Sequence, residues 1–282
     1  MGDLLAEIRF IKDSLPRAER NVAKAVLNNP EQVCEMSLQK FGRTIDSNDG
    51  AIVRFCKRMG YDKYLTFKEA LKSALENSEI APIEDIVPGD SVYDILKKVC
   101  ASNVQVLTDT VNLATPNMEK ALEAIKNAKS IHFFGAGDAA SVGLISFFKF
   151  SKLGIPCSCP VDPVVQLLEA GNMRQGDVAI AISYEGESFN VNNAIRTAKE
   201  NGATTICITR FEKSSLIQYI DIDLYVATFD FSIGRDIAGR RAAEQLIMDT
   251  LYLTLVAQSG GKYDKSIKNM RKIVDRNKKN GV

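Results

Sequence analysis

Two short segments of this 282-residue chain carry residue types that bind anions. One is Gly135-Ala-Gly-Asp-Ala-Ala-Ser141 and the other is Ser183-Tyr-Glu-Gly-Glu-Ser188, and each lies between an apolar run and a helical pattern. Small residues let backbone N–H groups approach an anion, which the dipole of the following helix also attracts. The first segment lacks the third glycine of a dinucleotide fingerprint and the Gly-Lys-Ser/Thr of a nucleotide P-loop. Both segments are equally compatible with tight turns between a strand and a helix.

A second chemical signal is the uneven distribution of charge. The formal net charge of +1 argues against a uniformly basic nucleic-acid binder. Residues 40–72, however, contain eight basic and four acidic residues, and residues 262–279 contain eight basic and two acidic residues. The first stretch is a candidate DNA-binding surface. We expect the second to be a solvated helix end or a disordered tail, with a DNA clamp as the alternative.

Helical periodicity determines which of these basic residues face outward. Asn48 is a good N-cap for a helix that Gly60 ends, and Asp46-Ser-Asn48 supplies the turn before it. The inward positions of this helix are Ile52, Phe55, Cys56 and Met59, and the outward ones are Asp49, Gly50, Val53, Arg54, Lys57 and Arg58. A motif that binds in the DNA major groove typically has two short helices joined by a tight turn, with basic residues on the outer face of the second helix. A plain helical bundle with a charged, solvated face fits the same spacing.

The order of residues in this region resembles the helix-turn-helix of the RpiR family of bacterial regulators. The resemblance covers about residues 1–76 and is most specific in Val53-Arg-Phe-Cys-Lys-Arg-Met-Gly-Tyr61. It implies DNA binding by the helix that starts at Asn48. The residues that it implies for DNA binding are Ser37, Arg43, Asn48, Asp49, Gly50, Ala51, Arg54, Lys57, Arg58, Lys63 and Tyr64.

Three positions depart from that family pattern. Asp46 stands where the family usually has glycine, Ser47 where it usually has an apolar residue, and Ala51 where it has serine or threonine. Asp46 and Asp49 also place negative charge beside DNA phosphates. We therefore expect an unusual operator affinity or sequence preference.

Beyond about residue 129, short apolar runs alternate with helical patterns. The predicted strands are residues 131–134, 156–159, 178–182, 205–209 and 223–227. The predicted helices are residues 139–153, 163–171, 189–201, 214–219 and 240–257. This alternation predicts an α/β doubly wound parallel sheet, which binds ligands at the carboxyl ends of its strands.

The two anion-type segments together resemble the loops of the SIS (sugar isomerase) domain, over about residues 120–260. That domain has a Gly-x-Gly loop after its first strand and a Ser-x-Ser-Gly-x-Thr/Ser loop after its third. The resemblance implies a phosphosugar effector whose phosphate is held by loop hydroxyls and amides. The implied effector-binding residues are Gly135, Ala136, Gly137, Asp138, Ala139, Ser183, Tyr184, Glu185, Gly186, Glu187 and Ser188.

Two carboxylates disturb this expectation. Glu185 replaces the central serine of the second loop, and Asp138-Ala139 replaces the small residue and serine common in the first. A carboxylate in contact with a phosphate dianion repels it by several kcal/mol in a half-dry pocket, as an order of magnitude. Either these acids turn toward sugar hydroxyls, or the ligand is a non-phosphorylated or amino sugar, or the site has decayed.

The predicted organisation is an all-α helix-turn-helix domain at residues 1–77, a linker and connecting helix at 78–119, an SIS-like domain at 120–262 and a basic tail at 263–282. The six cysteines contain no Cys-x-x-Cys pair and the one histidine is His132, so we expect reduced thiols, a cytoplasmic location, no metal and no cofactor. No apolar run is long enough to span a membrane.

These features predict a transcriptional regulator of carbohydrate metabolism, a homodimer or homotetramer that binds a palindromic double-stranded operator and senses a sugar-like effector. The alternative is a sugar-phosphate isomerase or lyase with a vestigial helical domain and Glu185 or Glu187 as its base. A structural adaptor with both sites decayed is a third possibility.

Overall fold

The computed structural model describes residues 4–76, 84–210, 213–231 and 237–280. The chain divides into two units. The first takes residues 1–113, 211–213 and 227–239, and the second takes residues 114–210, 214–226 and 240–282, in each case within the described ranges. Residues 77–83, which include the first six residues of the predicted linker, lie outside the described residues.

The first unit begins with six short helices. Their bounds are α1 Leu4–Ile11, α2 Arg17–Asn28, α3 Pro30–Glu35, α4 Leu38–Thr44, α5 Asp49–Arg58 and α6 Tyr64–Glu76. Their core is aromatic and aliphatic, with Ile8, Phe41, Phe55 and Phe67 almost fully buried. The predicted inward face of α5 is confirmed, because Ile52, Phe55, Cys56 and Met59 all belong to this core.

The connecting helix α7 (Val92–Asn112) also belongs to the first unit. It starts with a capping box between Ser91 and Asp94. A guanidinium from the helical bundle pairs with it, since Arg9 Nη2 donates to Asp109 Oδ1 over 2.8 Å. Gly239, which follows the short hairpin of β6 (Phe229–Asp230) and β7 (Ile237–Ala238), packs so closely on Val106 that a Cβ there would lie 2.9 Å away.

The second unit contains a five-stranded parallel sheet with the order β2-β1-β3-β4-β5. The strands are β1 Ile131–Gly135, β2 Cys157–Ser158, β3 Val178–Ile182, β4 Thr204–Thr209 and β5 Ile222–Tyr225. Its helices are α8 Asn117–Lys126, α9 Ala139–Ser151, α10 Pro163–Asn172, α11 Phe189–Glu200, α12 Arg240–Ala257 and α13 Asp264–Asn280. The predicted α/β doubly wound sheet is confirmed.

Two predicted elements of this unit need correction. The helix expected at residues 214–219 is a single 3-10 turn over Ile217–Tyr219. The edge strand expected at residues 156–159 is only Cys157–Ser158 long. Of the two options for the basic tail, the solvated helix is confirmed, because the tail forms α13 and its described side chains from Lys268 to Arg276 are exposed.

The order of the strands brings the two predicted anion segments together. β1 and β3 are neighbours, and Gly135 at the end of β1 is in register with Ile182 at the end of β3. The chain leaves β1 toward β2 and leaves β3 toward β4, in opposite directions along the sheet. Ligands of parallel α/β sheets bind at such a switch point.

Among the described helices, none combines the length and the apolar character needed to cross a lipid bilayer.

Candidate functional sites

A tight junction joins α4 to α5. Ser37 caps α4 by accepting from Lys40 N over 3.2 Å, and Asn48 caps α5 by accepting from Ala51 N over 2.8 Å. Asp46 has a φ of +49°, the left-handed conformation that favours glycine. This conformation explains why glycine suits that position and identifies Asp46 as a locally strained substitute.

The outer face of α5 contains two arginines that share one buried acid. Arg58 Nε donates to Glu19 Oε2 over 2.7 Å, and Arg54 Nε lies 3.7 Å from Glu19 Oε1. The arginine side chains are 60% and 51% exposed for Arg54 and Arg58, whereas the Glu19 side chain on α2 is only 5% exposed. The buried Glu19 carboxylate therefore holds both guanidiniums at the surface of the bundle.

The structure corrects two of the predicted DNA-binding residues. Ala51 is completely buried, and Tyr64 is buried with its hydroxyl donating to Val33 O over 3.2 Å. Neither side chain is available to DNA, because both are buried. The exposed members of the predicted set are Ser37, Arg43, Asn48, Asp49, Gly50, Arg54, Lys57, Arg58 and Lys63.

The two loops at the ends of β1 and β3 bury five of the eleven residues predicted to bind the effector. The buried residues are Gly135, Ala139, Ser183, Tyr184 and Gly186. At Gly186 the φ is +66°, and a Cβ would lie 2.3 Å from Ser214 Oγ, so only glycine fits this turn. The residues that face outward are Ala136, Gly137, Asp138, Glu185 and Glu187, with Ser188 half-buried.

Asp138, at the start of α9, faces two arginines from the start of α12. Its Oδ2 accepts from Arg240 Nη2 over 2.7 Å and from Arg241 Nε over 3.0 Å. Asp138 is 62% exposed, whereas the side chains of Arg240 and Arg241 are 21% and 26% exposed. The contacts with the two guanidiniums hold the pKa of Asp138 below its usual range.

A second layer of side chains supports these arginines. Arg241 Nη1 also donates to Glu244 Oε2, a fully buried carboxylate one turn further along α12. Burial raises the pKa of Glu244 to about 7, against the opposing effect of the nearby Arg241 charge. The Arg240 guanidinium lies 5.3 Å from the centre of the buried Tyr184 ring, on which Arg210 also lies, at 5.2 Å. We call Asp138, Tyr184, Arg240, Arg241 and Glu244 the arginine site.

The two acids of the β3 loop have different environments. Glu187 accepts from Ser215 N over 2.8 Å and from Ser215 Oγ over 2.6 Å, which lowers its pKa and turns it toward the following turn. Glu185 is exposed and has no hydrogen bond or ion pair within the described part of the chain. The sequence predicted that Asp138 and Glu185 would repel an anion. This repulsion is reduced, because the guanidiniums of Arg240 and Arg241 neutralise the charge of Asp138.

Sequence reasoning missed Arg240, Arg241 and Glu244 as site residues. A signal was present, because two adjacent arginines open the long predicted helix at residues 240–257. Arginines at the start of a helix oppose its dipole, which is a reason to ask what anion accompanies them.

His132 lies at the opposite end of β1 from the arginine site. Its ring nitrogens contact Ser130 Oγ and Glu169 Oε2, each at 2.8 Å, and Ser130 Oγ donates to Asp177 Oδ1. These polar partners satisfy a half-buried histidine within the sheet. No group of three or more metal-ligating side chains occurs within the described residues.

Comparisons with known proteins identify two family domains in the chain. A family model for the rpiR-family helix-turn-helix domain matches residues 2–78, and a model for the SIS domain matches residues 124–232. An uncharacterized HTH-type transcriptional regulator of Caldanaerobacter subterraneus subsp. tengcongensis is 34% identical over 259 residues, which is 92% of each chain. The HTH-type transcriptional regulator HexR of Pseudomonas aeruginosa is 28% identical over 74% of each chain.

A solved structure has the same overall fold. The NanR protein of Vibrio vulnificus, in complex with ManNAc-6P, superposes with a TM-score of 0.60. Its sequence is 23% identical, and the match covers 97% of this chain and 98% of that one.

Proposed function

This chain belongs to the rpiR family of helix-turn-helix transcriptional regulators, and we propose that a sugar monophosphate bound at the arginine site controls its affinity for DNA. The observation that carries the proposal is the pair Arg240 and Arg241, fixed beside the start of α9 at the switch point of the sheet. Two guanidiniums and a helix start together suit a phosphate group.

The effector class follows from the chemistry of the two loops. Guanidinium groups bind phosphate with several parallel hydrogen bonds, and the nearby Glu185 is available to accept from sugar hydroxyls. The structural neighbour NanR was solved with the sugar phosphate ManNAc-6P, which makes this compound a reasonable first probe. These arguments favour a phosphorylated sugar over the uncharged sugar.

On the DNA side, α5 is the proposed reading helix. Asn48, Asp49, Gly50 and Lys57 lie exposed around its first turns and outer face. We propose that Arg54 and Arg58, which pair with Glu19 and are more than half exposed, contact DNA phosphates. Because one short helix contacts only a few base pairs, we propose a two-fold dimer on a palindromic operator.

Calorimetric titration tests the effector. We expect ManNAc-6P to bind and uncharged ManNAc to bind at least about tenfold more weakly, because a charged hydrogen bond is worth about 1.5–3 kcal/mol. Arg241→Gln should lower the affinity by a similar factor, whereas the control Arg196→Gln, on α11 and paired with Glu200, should not. Conversion of the sugar phosphate during the titration would instead favour isomerase or lyase chemistry.

Selection from a random-sequence DNA library tests the operator. A palindromic consensus bound by wild-type protein is the expected result. Lys57→Ala should weaken binding to it and reduce the salt dependence, and Lys120→Ala, an exposed change on α8, serves as the matched control. Failure to enrich any sequence at low ionic strength would contradict the proposed DNA-binding role.

A further inference from the structure

Each arginine of the arginine site has a partner other than Asp138. Arg241 bonds through Nη1 to the buried Glu244, and Arg240 lies against the buried ring of Tyr184. Both supporting groups are part of the packed interior, where side chains keep defined rotamers. These buried partners therefore orient the two guanidiniums to bind an anion on their exposed side.

Asp138 occupies the outer side of the same guanidiniums. Its carboxylate is the most exposed member of the site and bonds to both arginines through one oxygen. It does not cap α9, since its side chain accepts no hydrogen bond from the helix backbone. An exposed ion pair of this kind contributes little stability, so exchanging it for another anion costs little.

We propose that Asp138 is an intramolecular competitor of the effector, whose phosphate must displace the Asp138 carboxylate from Arg240 and Arg241. The inference rests on the proposed function and adds the regulation of that same site. A tethered carboxylate is present at high effective concentration, so it lowers the apparent affinity for every free anion. A phosphate, with more oxygens and more charge than a carboxylate, is the class of ligand able to compete.

Competition also sets a threshold for occupancy. A free monoanion must also displace the Asp138 carboxylate, but it carries no more negative charge than that carboxylate and so gains no advantage in binding to the arginines. Arg240 Nε, which is buried and has no acceptor among the described residues, is a further donor that a rearranged anion complex could satisfy. The site would thus remain closed to weakly binding anions until a sugar phosphate is present.

Titration of wild-type protein and Asp138→Asn with inorganic phosphate and ManNAc-6P tests this inference. We expect the dissociation constants for both anions to fall about 3- to 10-fold in the variant, the size of one or two exposed guanidinium–carboxylate pairs. Binding of uncharged ManNAc should not change. Glu185→Gln removes a charge from the neighbouring loop, and Glu185 bonds to no guanidinium among the described residues. For inorganic phosphate, which has no sugar hydroxyls, we expect this variant to gain less than about twofold in affinity because an exposed charge is screened by salt.

Each other result overturns the competition. Equal affinities for Asp138→Asn and wild type would show that no displacement occurs. Weaker binding by Asp138→Asn would show that Asp138 positions the arginines. An equal gain for Glu185→Gln would reduce the effect to general repulsion. In these three cases sugar-phosphate binding, and with it the proposed function, still stands, whereas absence of anion binding in every variant overturns both.

Discussion

Each unit of the molecule contains one carboxylate that holds two arginines, but the burial is reversed between them. In the helical bundle the acid Glu19 is buried, and its partners Arg54 and Arg58 are more than half exposed. In the sheet unit the acid Asp138 is exposed, and its partners Arg240 and Arg241 are mostly covered. The same kind of ion pair therefore fixes arginines in the helical bundle, whereas in the sheet unit it is a contact that another anion can replace.

The difference follows from the cost of removing charge from water. A buried carboxylate loses hydration and needs its partner, so that breaking the pair leaves an uncompensated ion in the interior. An exposed carboxylate regains water when its partner is removed. Glu19 is accordingly a permanent anchor, and Asp138 is a contact that a ligand can replace.

The largest effect on stability is expected when the buried Glu19 loses Arg58, the nearer of its two arginine partners. Arg58→Ala leaves Glu19 with Arg54 alone, whose Nε is 3.7 Å away, and should lower the free energy of unfolding by about 2–3 kcal/mol. Urea denaturation measures this change. Lys57→Ala, the exposed neighbouring residue, should change it by less than about 0.5 kcal/mol. Equal effects of the two substitutions would remove the distinction between anchor and surface charge.

The second prediction concerns Glu244, the buried acid that anchors Arg241. Its pKa is raised to about 7, so its contribution to stability is complete below the ordinary pKa of 4.5 and is lost as the pH rises through 7. The free energy of unfolding should therefore fall by about 2–3 kcal/mol between pH 5 and pH 8, since one pKa unit corresponds to about 1.4 kcal/mol. Denaturation at several pH values should show a smaller fall for Glu244→Gln. An unchanged pH profile in that variant would assign the slope to other groups.

A third prediction separates anchoring from DNA contact. Arg54 is the outer partner of Glu19, so Arg54→Ala should cost little stability but remove one phosphate contact. We expect the dissociation constant for the selected operator to rise about fivefold and the slope of log K against log salt to decrease by about 1. Fluorescence anisotropy at several salt concentrations measures both quantities. An unchanged slope of log K against log salt would show that Arg54 pairs with Glu19 but does not contact a DNA phosphate.

Local sequence patterns predicted much of the fold because they report which side chains are buried. The spacing of Ile52, Phe55 and Cys56 predicted the buried face of α5, and the unbroken apolar run of β3 predicted a central parallel strand. The same spacing explains one error. Ala51 precedes Phe55 by four residues and therefore shares its buried face, although the resemblance to the family placed it at the DNA.

Local patterns could not predict which surface charges meet. Asp138 and Arg240 are separated by 102 positions, and no periodicity relates them. The sequence indicated that an acid stands at the effector loop but not that α12 supplies the neutralising arginines. Their proximity depends on the whole path of the chain from α9 to α12.

The smallest effect is expected for Asp138 itself. Because its carboxylate is mostly exposed, Asp138→Asn should change the free energy of unfolding by less than about 0.5 kcal/mol, even though two arginines lose their acceptor. Urea denaturation without ligand measures this, and Glu19→Gln is the matched change at the buried anchor, with an expected loss of about 1–2 kcal/mol. A loss above about 1 kcal/mol for Asp138→Asn would mean that the arginines depend on Asp138 for their position. The two carboxylates would then be equivalent anchors, and a ligand could not replace either of them cheaply.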